Sequence, residues 1–228
     1  MVTNPNLFPY LHPSTIFQRA VVQWMRSIEW NSWRFTLKQL EQRIIKDGRN
    51  LGRGILKVDG FINHQVDPAL MDACGREFAL RFQHLGATKV LTAEISGIAP
   101  AIATALHLGL PVVYARKSKP ITMPDQVFLT LAPSHTKGVM VELIISPEFL
   151  QSGERILIID DFLATGSTIQ GLVRLAQTAG SEIVGIGALI EKSFEGGRDL
   201  LRPLGVPIES LSCIRSMDGD QIVFGDCD

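Results

Sequence analysis

The spacing of apolar residues changes character along the chain. LKQLEQRIIKDG, residues 37–48, sets Leu37, Leu40, Ile44 and Ile45 at helical intervals and stops at Gly48, which predicts a helix closed by glycine. ILKVDGFINHQ, residues 55–65, alternates loosely and reads as a short strand with a turn. Asp67-Pro68 then opens a second helix. Asp67 can accept from its first amides, Pro68 suits its first position, and Leu70, Met71, Cys74, Phe78 and Phe82 form one stripe that ends by Gly86.

From Lys89 onward, strand-like and helix-like runs take turns. KVLTAEI leads into SGIAPAIATALHL, then Gly109 and LPVVYAR. Residues 117–145 break the rhythm: Pro120, Pro124, Pro133 and Gly138 lie between two strand-like runs, QVFLTLA and GVMVELII, which predicts a long hairpin or flap projecting from the sheet. ILIIDDFLATGST precedes a helix TIQGLVRLAQTAG, and strand EIVGIGALI, helix GGRDLLRPLG and strand IESLSCI complete the pattern. Several of these strands are apolar throughout. That points to an α/β fold with a mainly parallel sheet covered by helices on both faces.

A length of 228 residues is enough for one such domain with residues to spare. The net charge of −1, from 22 basic and 23 acidic residues, leaves no broad basic field for nucleic acid, so any phosphate binding is expected to be local. No apolar run is long enough to span a bilayer. Cys74, Cys213 and Cys227 show no CxxC spacing and read as reduced thiols of a cytoplasmic protein rather than a disulfide or zinc site. Residues 1–36 stand apart. They hold Trp24, Trp30 and Trp33, all the tryptophans, and no acid before Glu29. An ordered lid, a targeting segment and a start assigned too early all remain open readings of this extension.

The chemistry gathers at residues 156–168. Four branched apolar residues end in Asp160 and Asp161, at the carboxyl end of a strand, where open α/β sheets bind ligands. Successive strand residues point to opposite faces, so the two acids need not clash as a buried pair would, and at least one is expected to face the crevice. Ala164, Thr165, Gly166, Ser167 and Thr168 then turn into a helix whose free amides and hydroxyls suit a phosphate monoester. Acids that can hold sugar hydroxyls, followed by a phosphate cradle, fit a ribose 5-phosphate. Ser96 and Gly97 form a second strand-to-helix turn with exposed amides, where Gly97 permits unusual dihedrals, and Arg116-Lys117 end the next strand with positive charge. No GxxxxGK[ST] loop and no convincing nucleophilic triad is present.

ILIIDDFLATGST resembles the PRPP-binding signature of the type I phosphoribosyltransferases. LKVDGFINHQVDP, EISGIAPA, PVVYARK and IEKSFEGGRD extend the likeness, in order and at similar spacing, to the xanthine-using members of the purine branch over roughly residues 37–220. The resemblance implies the type I phosphoribosyltransferase fold: a twisted, mainly parallel sheet flanked by helices, a small N-terminal hood (37–66) and a flexible flap (about 117–145). It implies transfer of phosphoribosyl from PRPP to a purine, with Mg²⁺ carried by PRPP rather than by protein side chains. Asp160 and Asp161 would hold the ribose, Ala164–Thr168 the 5-phosphate, and Ser96, Gly97, Arg116 and Lys117 the diphosphate. Leu56, Asn63, Phe162 and Lys192 would contact the base. Lys119, Ser134, Thr136 and Lys137 would sit on the flap, where Pro133 departs from the tyrosine common in relatives. A homodimer is implied. A guanine- or hypoxanthine-preferring enzyme and a non-catalytic PRPP-sensing regulator are the alternatives.

Overall fold

A computed structural model describes residues 38–133, 139–219 and 221–227. The extension 1–36, Leu37, and the flap-apex residues Ser134, Thr136 and Lys137 lie outside the described residues. Helix α1 (38–47) ends where the Gly48 amide bonds the Ile44 carbonyl at 2.8 Å. Strands β1 (Arg49–Asn50) and β2 (Leu56–Lys57) form a small antiparallel ribbon, with Asn50 opposite Leu56. The predicted strand of residues 55–65 is therefore only two residues long, and Asp59–Asn63 wind instead into one wide helical turn that buries Phe61 and Ile62.

Helix α2 (Pro68–Phe82) starts as expected: the Asp67 carboxylate accepts from the Leu70 amide at 3.2 Å, and Pro68 sits in the first turn. β3 (Lys89–Ala93), α3 (Ile98–Leu108) and β4 (Val112–Ala115) follow, then β5 (Phe128–Pro133) and β6 (Met140–Ile145). β7 (Arg155–Leu163), α4 (Ser167–Thr178), β8 (Glu182–Lys192), α5 (Gly197–Leu201), β9 (Ile208–Asp218) and β10 (Gln221–Phe224) complete the fold.

The main sheet has six strands in the order β10-β9-β8-β7-β3-β4, all parallel except β10, which returns antiparallel along β9. β10 was not anticipated, because QIVF is short and alternates between exposed and half-buried positions. α1, α2 and α3 cover one face, where Phe78, Phe82, Leu157 and Ile159 pack together. α4 covers the other, with Leu172, Ile156 and Ile158. Alternation along the first half of β7 thus sends Leu157 and Ile159 to one core and Ile156 and Ile158 to the other. Among the described residues no helix is long and apolar enough to cross a membrane.

β5 and β6 form the expected hairpin, from Phe128 opposite Ile145 to Pro133 opposite Met140. Its base does not project freely. It lies on α4, where Arg174 donates to Thr130 Oγ1 at 3.0 Å and to the Leu131 carbonyl at 2.7 Å, and Leu143 Cδ1 would lie 2.8 Å from a Cβ on Gly171. A glycine on the helix and a long guanidinium stem let the two elements approach this closely.

Candidate active site

The strand order reverses direction between β3 and β7: the chain runs from β3 outward to β4, and from β7 outward to β8 and β9. Loops leaving two such strands diverge, and the crevice between them is where a ligand fits. A cavity of about 320 Å³ opens there. Leu56, Asn63, Ser96, Lys117, Asp160, Asp161, Phe162, Lys192 and the whole loop Ala164–Thr168 line it. These residues come from seven separate elements and loops, so the sheet assembles a site that is dispersed over more than 130 positions of sequence.

Asp160 and Asp161 are both buried, 5% and 8% exposed. Both line the cavity, where at least one was expected to face it, and the strand's alternation does not keep their charges from opposing each other. Burial pushes the Asp160 carboxyl well above the ordinary aspartate range, and the Asp161 charge pushes it further. Burial also raises Asp161, against hydrogen bonds from Ser96 and from Asp160 that favour its charged form. The Asp161 amide donates to Asp160 Oδ1 at 3.0 Å, which folds one carboxyl back toward the other despite the alternation of the strand.

The loop after β7 has the geometry of an anion cradle. Gly166 adopts φ 77°, ψ −1°, the left-handed region that favours glycine. The first bond of α4 runs from the Gln170 amide to the Gly166 carbonyl at 2.8 Å, so the amides of residues 167–169 precede the helix ladder and face its open end. Thr165 and Ser167 hydroxyls lie 2.9 Å apart. The loop is tied down from outside, since the Gly197 amide donates to the Ala164 carbonyl at 2.9 Å.

Two expectations at the opposite turn change. Gly97 has φ −68°, ψ −16°, an ordinary helical conformation, so it is not there for unusual dihedrals. It is there for space: a Cβ on it would sit 2.2 Å from Thr92 Oγ1 and 2.3 Å from Asp160 Oδ1. Gly97 thus underlies the cavity instead of lining it. Arg116 does not line the cavity either; it borders a neighbouring hollow with Tyr114, Pro120 and Phe149. Its backbone is held to Ile144 at 2.8 and 2.9 Å, while Glu94 approaches its Nε at 3.8 Å and accepts from the Lys117 amide at 2.6 Å. Of the two cations, only Lys117 is turned into the cleft.

At the other end, the buried Lys192 ammonium donates to the Gly54 carbonyl at 2.6 Å, pairs with Glu195 Oε1 at 2.7 Å and lies 5.6 Å from the Phe162 ring centre. A single cation therefore fastens the N-terminal ribbon to the end of β8. Glu94 and Glu195 are the residues that sequence reasoning passed over. Each lies beside a motif that drew notice, but nothing in the text reveals which cation it will meet.

A family model for the phosphoribosyl transferase domain matches residues 67–225. A xanthine phosphoribosyltransferase of Leuconostoc mesenteroides is 48% identical over 188 residues, covering 82% of this chain and 100% of that protein. One from Listeria monocytogenes is likewise 48% identical and covers 82% of this chain and 98% of its own length. Among solved structures, an adenine phosphoribosyltransferase of Rhodothermus marinus superposes with a TM-score of 0.64 at 27% identity, over 79% of this chain and 99% of that one. With its PRPP-type loop, its acid pair and its switch-point cleft, the chain belongs to the phosphoribosyltransferase family.

Proposed function

We propose that this enzyme serves purine salvage by transferring the 5-phosphoribosyl group of PRPP to N9 of xanthine, giving XMP and pyrophosphate. One observation carries the reading: a single cavity is lined by an anion cradle at Ala164–Thr168, a buried acid pair, and a cation beside an aromatic ring at Lys192 and Phe162. Those three parts match, in order, a 5-phosphate, a ribose and an oxopurine.

In this reading the amides of residues 167–169 and the Thr165, Ser167 and Thr168 hydroxyls hold the phosphate monoester. Asp160 and Asp161 accept from the ribose hydroxyls. As the bond from C1′ to diphosphate lengthens, the ribose gains oxocarbenium character, and the carboxyl pair, costly to ionise in the free protein, meets a positive charge that favours its ionised form. The stabilisation is greatest at the transition state, which is what accelerates the step. Lys117 and the 96–97 turn face the leaving diphosphate. The all-oxygen donor set of Asp160 and Asp161 suits Mg²⁺, which would arrive on PRPP and supply neutralising charge to that diphosphate.

At the base end Lys192 donates one N–H to Gly54 and pairs with Glu195, and a further N–H serves the 6-oxo group. Phe162 and Leu56 bracket the ring, and an Asn63 amide N–H meets O2 of xanthine, where guanine presents a donor. The hood (37–66) carries Leu56 and Asn63, and the flap (117–145) excludes water from above. The chain acts as a homodimer in the cytoplasm: α3 leaves Ile102 and Leu106 54% and 74% exposed, one turn apart, an apolar strip suited to a second copy. Purified protein given PRPP, Mg²⁺ and xanthine, guanine, hypoxanthine or adenine tests the assignment. Xanthine is expected to have the highest kcat/KM; guanine or hypoxanthine ahead of it would overturn the base assignment, and no turnover of any base would overturn the activity.

A further inference from the structure

Cys213 and Cys227 lie far from PRPP chemistry but close to each other. Their Sγ atoms and a Glu191 carboxylate oxygen are all within 4.8 Å of one another. Cys213 sits opposite Glu191 in the β8–β9 ladder, and the chain returning from β10 is fixed there by the Gly225 amide, which donates to the Cys213 carbonyl at 3.1 Å. We propose that Cys213 and Cys227 are a redox-active pair that closes into an intramolecular disulfide when the protein meets a low-molecular-weight disulfide.

The surroundings favour thiol chemistry over a metal. Glu191 is already committed: Arg198 donates to its two oxygens at 2.9 and 2.6 Å, and Ser210 to one of them at 2.6 Å. A fixed guanidinium in the same cluster repels a divalent cation, whereas it does not oppose a thiolate. The Cys227 thiol donates to Cys213 and holds it below the ordinary thiol range, and Arg215 adds to that effect. Cys227, half-buried, is the member that a small oxidant reaches, and Cys213, buried, is placed to resolve. The bond to Cys213, burial and the Glu191 charge raise the Cys227 thiol, so Cys227 passes its proton to Cys213 as its sulfur attacks one sulfur of the oxidant and expels one thiolate. Cys213 then attacks Cys227 Sγ and expels the second. The protein gives up two electrons, the oxidant becomes two thiols, and the two cysteine protons go to them. Cys74 stands outside this chemistry, since burial pushes its thiol up to about 12.

The test treats the full chain with oxidised glutathione in the presence of a chelator, counts thiols after denaturation and maps tryptic peptides. Two of the three cysteines are expected to be lost from the count, the peptide ending at Arg215 is expected to be joined to the one that follows it, and dithiothreitol is expected to restore both. Cys227→Ser should abolish the cross-link and Cys74→Ser should leave it intact. The wild-type peptide map decides the matter even where a variant does not fold. An unchanged thiol count, a stable glutathione adduct at Cys227 without the cross-link, or a bond to Cys74 or between chains would overturn the proposal. So would protection of both thiols by Zn²⁺ alone, which would make the cluster a metal site.

Discussion

Lys192 and Glu195 form an ion pair with Nζ and Oε1 2.7 Å apart and side chains only 5% and 12% exposed. Such a pair is costly to split, because the remaining charge stays buried without its partner. Lys192→Met is therefore expected to destabilise the fold by about 3–5 kcal/mol and to raise the KM for the base. Adding Glu195→Gln should recover part of the lost stability, because it removes the orphaned charge, but none of the base affinity. Urea unfolding beside steady-state kinetics on both variants checks this. Equal recovery of stability and KM would mean that Lys192 acts only as a fastener for the Gly54 turn.

The acid pair gives a prediction about pH. Asp160 and Asp161 both have carboxyls raised by burial in the folded chain. A raised folded value means that the stability they contribute is fully present below the ordinary aspartate range and is lost as pH rises through their folded values. At neutral pH the pair is a burden on the fold. Asp160→Asn and Asp161→Asn are expected to lower kcat by about 100-fold or more, without lowering the melting temperature at pH 7. The wild-type melting curve, subtracted from that of either variant across pH, should show the variant gaining as pH rises. Parallel curves, or near-normal turnover in both variants, would remove these residues from the reaction.

This pair also marks how far the sequence could be read. The phosphate loop, the capped α2 and the parallel sheet were legible because each is a local signal: glycine and hydroxyls after an apolar strand, Asp67-Pro68 before a stripe, apolar runs alternating with helices. The coupling of Asp160 to Asp161 was not, because a period of two describes where Cβ atoms point and not how a carboxyl folds back on a neighbouring amide. Arg116 and Lys117 were read together, yet only Lys117 reaches the cleft. Which of two adjacent cations turns inward depends on Glu94, more than 20 positions earlier, whose reach no spacing rule contains. The end of the chain escaped for the opposite reason. QIVF is too short for its alternation to stand out, although it supplies the return that brings Cys227 to Cys213.

Gly97 offers a test that isolates space from conformation. Its φ of −68° is one that alanine adopts freely, so Gly97→Ala introduces no dihedral strain. The added Cβ would instead meet Thr92 Oγ1 at 2.2 Å and Asp160 Oδ1 at 2.3 Å, and either the 96–97 turn or the Asp160 carboxyl must move. Overpacking of this kind costs about 1–3 kcal/mol. Because the collision is with a proposed ribose-holding group, the loss in kcat is expected to exceed what the loss of stability explains at a temperature where the variant is fully folded. Adding Thr92→Ala opens one of the two contacts and should restore stability more than turnover, because the Asp160 contact remains. Turnover restored in step with stability would show that Asp160 does not move, and that Gly97 serves packing alone.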